Sequence, residues 1–297
     1  MGKYAAIIYG ITLASLALVF VPHVGTVING SRSWLSIAGF NLQPSEFAKL
    51  GVILMSARLV ARQRERWPDW RQSLMPILAI LAPALLLVAA RPDVGTLSIL
   101  VMIVFVMLYA GGVPGRPLAV LAAIGMAGFA ALVMAAPYRA QRLTTFLHPE
   151  LDPKGVGYHI NQAFLAIGSG GFWGLGYGHS RQKFQYLPEV SADSIYAVIA
   201  EETGFLVAGG LVLLILLLGW RGLKIARQAP DGFGRLAAVG LITWFLWQSF
   251  LNIGAMVGAL PLTGVPLPLV SHGGSALVAG LIAFGIIASI SRVGHRS

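Results

Sequence analysis

The sequence has 297 residues, of which 11% are Asp, Glu, Lys or Arg, whereas roughly 25% is ordinary for a soluble domain. With 57% hydrophobic residues and a mean hydropathy of +0.77, such a chain cannot hide its apolar surface in one water-soluble core. We therefore predict a polytopic membrane protein. The absence of cysteine excludes disulfide frameworks, thiolate catalysis and Cys-based metal sites. The formal charge of +10 is read as membrane topology rather than as a nucleic-acid surface, so no nucleic-acid partner is predicted.

Eight segments are apolar enough to cross a bilayer, which predicts an all-α fold, a polytopic membrane helix bundle of about eight transmembrane helices in a single domain over 1–297. Their approximate bounds are 4–22, 46–62, 74–90, 94–111, 118–136, 194–219, 235–258 and 273–291. Counting the loops alternately places 13 of the 21 Lys and Arg residues on one side and 8 on the other. The richer side, which includes both termini, is therefore predicted to be cytoplasmic.

The largest connection, residues 137–193, falls on the outer side and is predicted to be an extracytoplasmic loop that carries function, because long loops are uncommon without one. Its glycine-rich run at 169–178 predicts tight turns and close backbone packing. A phosphate-binding loop is not expected there, since no Gly-x-x-x-x-Gly-Lys-Ser/Thr pattern occurs. The six histidines show no metal-ligand spacing, so a zinc site is not expected either.

Ionisable groups at membrane depth cost several kcal/mol and need a partner, a watery cavity or a function. Glu46 and Lys49 fall at i and i+3 on one helix face, which is consistent with a structural ion pair or with a charge that lines a substrate groove. Arg91-Pro92-Asp93 predicts a turn at the outer surface in which the opposite charges pair with each other.

Two further polar pairs lie within predicted helices. Glu201 and Glu202 are neighbours, so at least one must face protein or water, either as a buried hydrogen-bonded carboxylate or as a proton relay or cation site. Gln248 and Asn252 put two amides on one face, which favours helix-to-helix hydrogen bonding over ligand contact.

Residues 181–193 combine two cations and two carboxylates at the mouth of the predicted bundle: Arg181, Lys183, Glu189 and Asp193. Such a set could bind an anionic substrate and accept or donate a proton. Asp193 stands just before a spanning helix, where the helix dipole favours an anion. Helix capping and catalysis are both open for it, and one does not exclude the other.

Several motifs together resemble one family across nearly the whole chain. They are Gln43-Pro44-Ser45-Glu46-Phe47-Ala48-Lys49, Pro92-Asp93-Val94-Gly95-Thr96, Tyr186-Leu187-Pro188-Glu189 followed by Asp193, Ala200-Glu201-Glu202-Thr203-Gly204, Asn252-Ile253-Gly254 and the run from Leu267 to Ser275. The sequence is similar to the SEDS proteins (shape, elongation, division, sporulation), the polytopic peptidoglycan glycosyltransferases that include FtsW and RodA. Gly168 to Gly171 and Gln182-Lys183 look more like the division branch, FtsW, than like RodA.

The resemblance implies polymerisation of lipid II, in which an acceptor sugar hydroxyl attacks a donor glycan and a polyprenyl pyrophosphate leaves. It implies that Asp193 is the general base and that cationic side chains on the outer side bind the leaving pyrophosphate. A divalent cation such as Mg²⁺ or Mn²⁺ could share that role. The substrate-binding residues expected on this basis are Arg32, Lys49, Arg139, Arg181, Gln182, Lys183, Glu189, Ser271 and Ser275, and the polar core comprises Glu46, Lys49, Asp93, Glu201 and Glu202. The implied partners are a class B penicillin-binding protein transpeptidase, other divisome proteins and membrane lipid. The implied location is the bacterial cytoplasmic membrane, with the active site on the extracytoplasmic face.

This chain also departs from the family pattern. The match begins at what would be the third family helix, so the first two are expected to be absent. Arg91 replaces Gln, Ser194 replaces Phe and His272 replaces Tyr. Ser194 and His272 are expected to make the outer pocket more polar. Two other functions remain as alternatives: a flippase or transporter for the lipid-linked precursor, and a catalytically inactive division scaffold. Because the polar groups cluster at the outer mouth and not at the bilayer midplane, the sequence favours the enzyme.

Overall fold

The computed structural model describes residues 2–22, 24–28, 31–37, 40–63, 70–91, 93–135, 137–152, 155–185 and 192–294. A helix lies at each of the eight positions expected from the apolar runs. The eight are α1 (Ala5–Leu18), α2 (Pro44–Gln63), α3 (Trp70–Ala89), α4 (Val94–Ala110), α5 (Gly115–Met134), α9 (Ile195–Arg227), α10 (Gly232–Met256) and α11 (Gly274–Gly294).

Five of these helices, α3, α5, α9, α10 and α11, are long and apolar enough to cross a membrane within the described residues. A span needs about 20 apolar residues. The helices α1 and α4 are apolar but have only 14 and 17 residues. The protein is thus a polytopic helical membrane protein, as predicted, whereas the number of eight spans stays a prediction.

A small antiparallel sheet between α1 and α2 was not anticipated from the sequence. Its strands, β1 (Gly25–Ile28), β2 (Ser31–Ile37) and β3 (Phe40–Leu42), are ordered β1-β2-β3. The register pairs Thr26 with Trp34 and Ser36 with Asn41. Three short strands do not change the fold class, which remains helical.

The segment 137–193, predicted as a loop, is largely helical where it is described. It contains α6 (Pro137–Leu147), a 3₁₀ turn at Pro149–Leu151, α7 (Val156–Gly170) and the one-turn α8 (Gln182–Gln185). In the turn before α7, the Asp152 carboxylate accepts hydrogen bonds from the N–H groups of Gly155 and Val156. These local caps satisfy backbone donors that would otherwise lack partners.

The chain forms two compact units. The first unit comprises Met1–Ala122, Gly219–Trp247 and Gly274–Ser297, and the second comprises Ala123–Leu218 and Gln248–Gly273. The single domain expected from the sequence stays a prediction. In the first unit, α2 is the most buried helix, and α1 crosses it so closely at Gly51 that a Cβ there would overlap the Thr12 side chain.

The turn between α3 and α4 corrects one sequence interpretation, because Arg91 and Asp93 are not bonded to each other. The Arg91 guanidinium donates to the Leu16 carbonyl at 2.6 Å and lies over the Phe20 ring at 5.4 Å. Asp93 instead caps α4, since its carboxylate accepts from the Thr96 N–H at 2.9 Å. Burial lowers the pKa of Arg91, and the nearby charge of Asp93 opposes that effect.

Candidate functional site

Asp193 lies at the entry to α9, in the second unit. The helix begins at Ile195, so Ser194 and not Asp193 directly precedes it. The Ser194 carbonyl accepts from the N–H groups of Ala197 and Val198, as the residue at a helix start does. Asp193 is buried, with 9% of its surface exposed, and lies near the positive end of a helix dipole.

The two amides of α10 fix the backbone around Asp193. Asn252 Nδ2 donates to the Asp193 carbonyl at 2.8 Å and to the Val265 carbonyl at 2.9 Å. Gln248 Nε2 donates to the Pro266 carbonyl at 2.8 Å. Through these three hydrogen bonds the amides join α10 to backbone outside the helices. Because Asn252 is buried, the position of Asp193 is set by a hydrogen bond that water does not weaken.

A second contact to Asp193 comes through Ser194. The Ser194 hydroxyl lies 3.4 Å from Asp193 Oδ1 and only 2.6 Å from Nε2 of His159, a residue of α7. Ser194 is completely buried and His159 is partly exposed. Carboxylate, hydroxyl and imidazole thus form a row that leads away from Asp193.

The buried carboxylate of Glu201 organises the segment before α8. Its oxygens accept hydrogen bonds from Ser180 Oγ at 2.5 Å, from the Arg181 N–H at 3.1 Å and from Ser169 Oγ at 3.5 Å. These three hydrogen bonds compensate for the burial of the Glu201 charge, in agreement with its interpretation as a buried hydrogen-bonded carboxylate. Lys183 Nζ lies 3.8 Å from the neighbouring carboxylate of Glu202. The side chains of Arg181 and Lys183 are exposed beside this network.

The glycine-rich run docks onto a break in α9. At Gly204 the backbone has φ +76, outside the helical range. In an uninterrupted helix, the N–H groups of 205 and 206 would donate to the carbonyls of 201 and 202. Four hydrogen bonds to the run replace those two: Phe205 N to Gly171 O at 2.9 Å, Leu206 N to Phe172 O at 3.5 Å, Leu175 N to Glu201 O at 2.9 Å and Gly176 N to Glu202 O at 2.9 Å. The run therefore does provide close backbone packing.

We expect Gly204→Ala to destabilise the protein by about 2 kcal/mol or more, because a Cβ would meet the Gly174 N–H and the Phe172 carbonyl and because φ is positive. Thermal unfolding in detergent measures the effect. Gly209→Ala is the matched control, since it lies in the same helix with nothing within 4 Å of the added Cβ. Equal melting temperatures for the two variants would contradict the expectation.

Glu46 and Lys49 form an ion pair in the first unit. Lys49 Nζ lies 2.8 Å from both carboxylate oxygens of Glu46 and 4.7 Å from the centre of the Trp244 ring. Lys49 is 0% exposed and Glu46 is 2% exposed. An ammonium held in this way does not face solvent, so the structure favours the ion-pair interpretation of Lys49 over direct substrate binding.

The remaining predicted substrate residues are placed as follows. Ser271 accepts a hydrogen bond from the Leu267 N–H at 2.8 Å within the second unit. Ser275, in the first unit, accepts from the Gln43 N–H at 3.0 Å. Gln182 is partly buried in α8. Residue Glu189 and the side chains of Arg32 and Arg139 lie outside the described part of the chain, and so does the motif 186–189.

Comparisons with known proteins decide the family. The family model described as Cell cycle protein, that of FtsW, RodA and SpoVE, matches residues 1–295. The chain belongs to the SEDS family. Over 277 residues it is 42% identical to stage V sporulation protein E of Bacillus subtilis. The aligned region covers 93% of this chain and 76% of that protein. The chain is 40% identical over 285 residues to the probable peptidoglycan glycosyltransferase FtsW of Mycobacterium tuberculosis, covering 96% of this chain and 54% of that protein, so the chain spans about half the length of that relative.

Two solved structures of SEDS proteins share the fold. One is described as the structural coordination of polymerization and crosslinking by a peptidoglycan synthase complex. It is 31% identical with a TM-score of 0.81, covering 100% of this chain and 83% of that one. The other is the rod shape determining protein RodA of Thermus thermophilus, also 31% identical, with a TM-score of 0.69, covering 98% of this SEDS chain and 78% of that one.

Some polar residues of this SEDS chain were not singled out by the sequence reasoning. His159 and Ser180 contact Ser194 and Glu201 across long sequence separations, and no local pattern marks such pairs. Across the described ranges, no group of three or more His, Asp or Glu side chains is arranged to hold a metal ion.

Proposed function

We propose that the chain is an integral-membrane peptidoglycan glycosyltransferase that polymerises lipid II during cell division. Membership of the SEDS family and the names of the FtsW relatives support a peptidoglycan polymerase. Neither the flippase nor the scaffold alternative is favoured by these relatives.

The observation that carries the proposal is a carboxylate fixed at the start of a long helix, Asp193. In the proposed reaction, the 4-hydroxyl of the acceptor sugar loses its proton to Asp193 while its oxygen attacks the anomeric carbon of the donor. The Asn252 clamp on the Asp193 backbone supports this role, because a general base must be held within hydrogen-bond reach of the attacking oxygen.

The pyrophosphate that leaves carries negative charge and requires cations nearby. Arg181 and Lys183 are exposed in the same unit as Asp193 and are proposed to bind it. Arg32 and Arg139 stay candidates from the sequence alone, because their side chains lie outside the described residues. The hydrogen bond from the Arg181 N–H to Glu201 fixes the backbone from which the guanidinium extends. Mg²⁺ or Mn²⁺ would add charge neutralisation if bound.

A transpeptidase partner follows from the same reaction, since glycan strands become a wall only when they are crosslinked. A similar structure is that of a synthase complex that polymerises and crosslinks peptidoglycan, which supports a class B penicillin-binding protein as partner. Other divisome proteins are proposed because of the FtsW relatives.

The proposed topology places both termini in the cytoplasm and residues 137–193 outside. We expect Tyr177→Cys, at a 90% exposed position, to react with an impermeant maleimide on intact spheroplasts. Gln228→Cys, between α9 and α10, should react only after permeabilisation. The natural chain has no cysteine and therefore gives no background labelling. The reverse labelling pattern would contradict the topology.

Reconstitution tests the function. Purified protein in phosphatidylglycerol-containing liposomes, supplied with lipid II and a class B transpeptidase, should form glycan strands that gel electrophoresis separates by length. Lipid II that crosses the bilayer without forming strands would overturn the polymerase in favour of the flippase.

A further inference from the structure

Ser194 and His159 continue the row that begins at Asp193, and neither takes part in the proposed sugar transfer. Its shortest link, 2.6 Å between Ser194 Oγ and His159 Nε2, joins α7 to the residue that starts α9. The other link, 3.4 Å from Ser194 Oγ to Asp193 Oδ1, is longer. A sub-ångström approach brings it to the roughly 2.5–3.0 Å of an O–H···O hydrogen bond.

A base that acts in a polymerase must release its proton after every sugar addition. Asp193 is only 9% exposed, and a bound glycan would cover the small part of it that is open. Ser194 is completely buried, so its hydroxyl is closed to bulk solvent, whereas His159 at the far end is partly exposed. Imidazole is the side chain whose ordinary pKa allows it to take up and release a proton near neutral pH.

We propose that Ser194 and His159 are a proton relay that resets Asp193 between additions. The acceptor O–H bond breaks and its proton forms an O–H bond on the Asp193 carboxyl, as the glycosidic bond forms and the pyrophosphate leaves with its electron pair. Asp193 then donates this proton to Ser194 Oγ while the hydroxyl proton of Ser194 passes to His159 Nε2. The carboxylate and the hydroxyl are restored, and the imidazolium releases its proton to water. The inference rests on the proposed function.

This relay makes Ser194 and His159 positioning residues that act through Asp193 and do not touch the sugar. The residue Ser194 is essential to it, because a hydroxyl both accepts and donates a proton. A side chain without a hydroxyl could do neither, so the relay depends on the serine at position 194.

The test compares relay variants in the liposome assay with lipid II. We expect Ser194→Ala and His159→Gln each to lower kcat about tenfold with KM unchanged, well short of the roughly 10²- to 10⁴-fold loss of the base itself. Gln keeps a hydrogen bond to Ser194 but cannot carry the proton. His159→Gly should regain activity when imidazole is added, because the position is partly exposed. Ser194→Ala should not respond to imidazole.

The control for imidazole is His179→Gly, an exposed histidine of the same unit, which should keep wild-type kcat with and without imidazole. Thermal unfolding in detergent confirms that each variant is folded. The relay is overturned if His159→Gln keeps the wild-type kcat or if His159→Gly does not respond to imidazole. The proposed function still stands in that case, provided that Asp193→Asn is inactive. Full activity of Asp193→Asn, or no strands from the wild type, overturns the proposed function itself.

Discussion

Asp193→Asn should lower the rate of glycan polymerisation by about 10²- to 10⁴-fold, the usual contribution of a general base. Asn has the same shape as Asp and keeps the main-chain carbonyl that Asn252 holds. It can still accept a hydrogen bond from Ser194. The variant therefore removes proton acceptance and keeps both of these hydrogen bonds, which ties the loss of rate to the chemistry.

The rate is measured on purified protein in liposomes at saturating lipid II, so that kcat is compared and not substrate affinity. Glu150→Gln is the matched control: it makes the same carboxylate-to-amide change at an exposed position of the segment 137–193. It should retain the wild-type rate. An Asp193→Asn protein that polymerises as fast as this control would remove Asp193 from the mechanism.

Lys49→Met should destabilise the first unit by about 3–5 kcal/mol, the usual effect of leaving one member of a buried ion pair without its partner. The Glu46 carboxylate is 2% exposed and would lose the cation that lies 2.8 Å from both of its oxygens. The contact between the ammonium and the Trp244 ring would disappear as well. Thermal unfolding in detergent reports the change.

The double variant Glu46→Met/Lys49→Met separates the charge from the packing. Replacing a whole buried pair by well-packed hydrophobic residues of similar volume is often nearly neutral. The double variant should therefore recover most of the stability that Lys49→Met loses, and it should polymerise lipid II if the pair is purely structural. Stability as low as in the single variant would show that the cation is required for its own contacts, such as the Trp244 ring.

The sequence predicted the helices well because long apolar runs have few alternatives in a membrane protein. It did not reveal the sheet, although the Asn29-Gly30 pair between two β-rich runs is a known hairpin signal. Strands of 4, 7 and 3 residues are too short to show a clear alternation of apolar and polar side chains. The pairing of Arg91 with Asp93 was wrong because Arg91 donates to a backbone carbonyl of α1 and Asp93 caps α4.

The candidate site was only partly predictable for a related reason. Asp193, Arg181 and Lys183 could be selected because they are close in sequence and chemically suited to the reaction. The hydrogen-bond partners around Asp193 could not be predicted, because Asn252 and His159 reach Asp193 and Ser194 from distant parts of the chain. Periodicity predicts which face a side chain occupies, whereas the partner on the opposite element depends on how the elements pack.

The hydrogen-bond exchange at Gly204 makes the glycine run and the second half of α9 a single folding block. Neither stretch can satisfy its main chain alone, and each buried N–H or C=O group that is left without a partner costs about 1–3 kcal/mol. During biosynthesis the run emerges first and must wait for the later helix before either is complete. A chimera with another family member should accordingly graft both stretches together, because moving one of them would strand polar groups on each side of the junction.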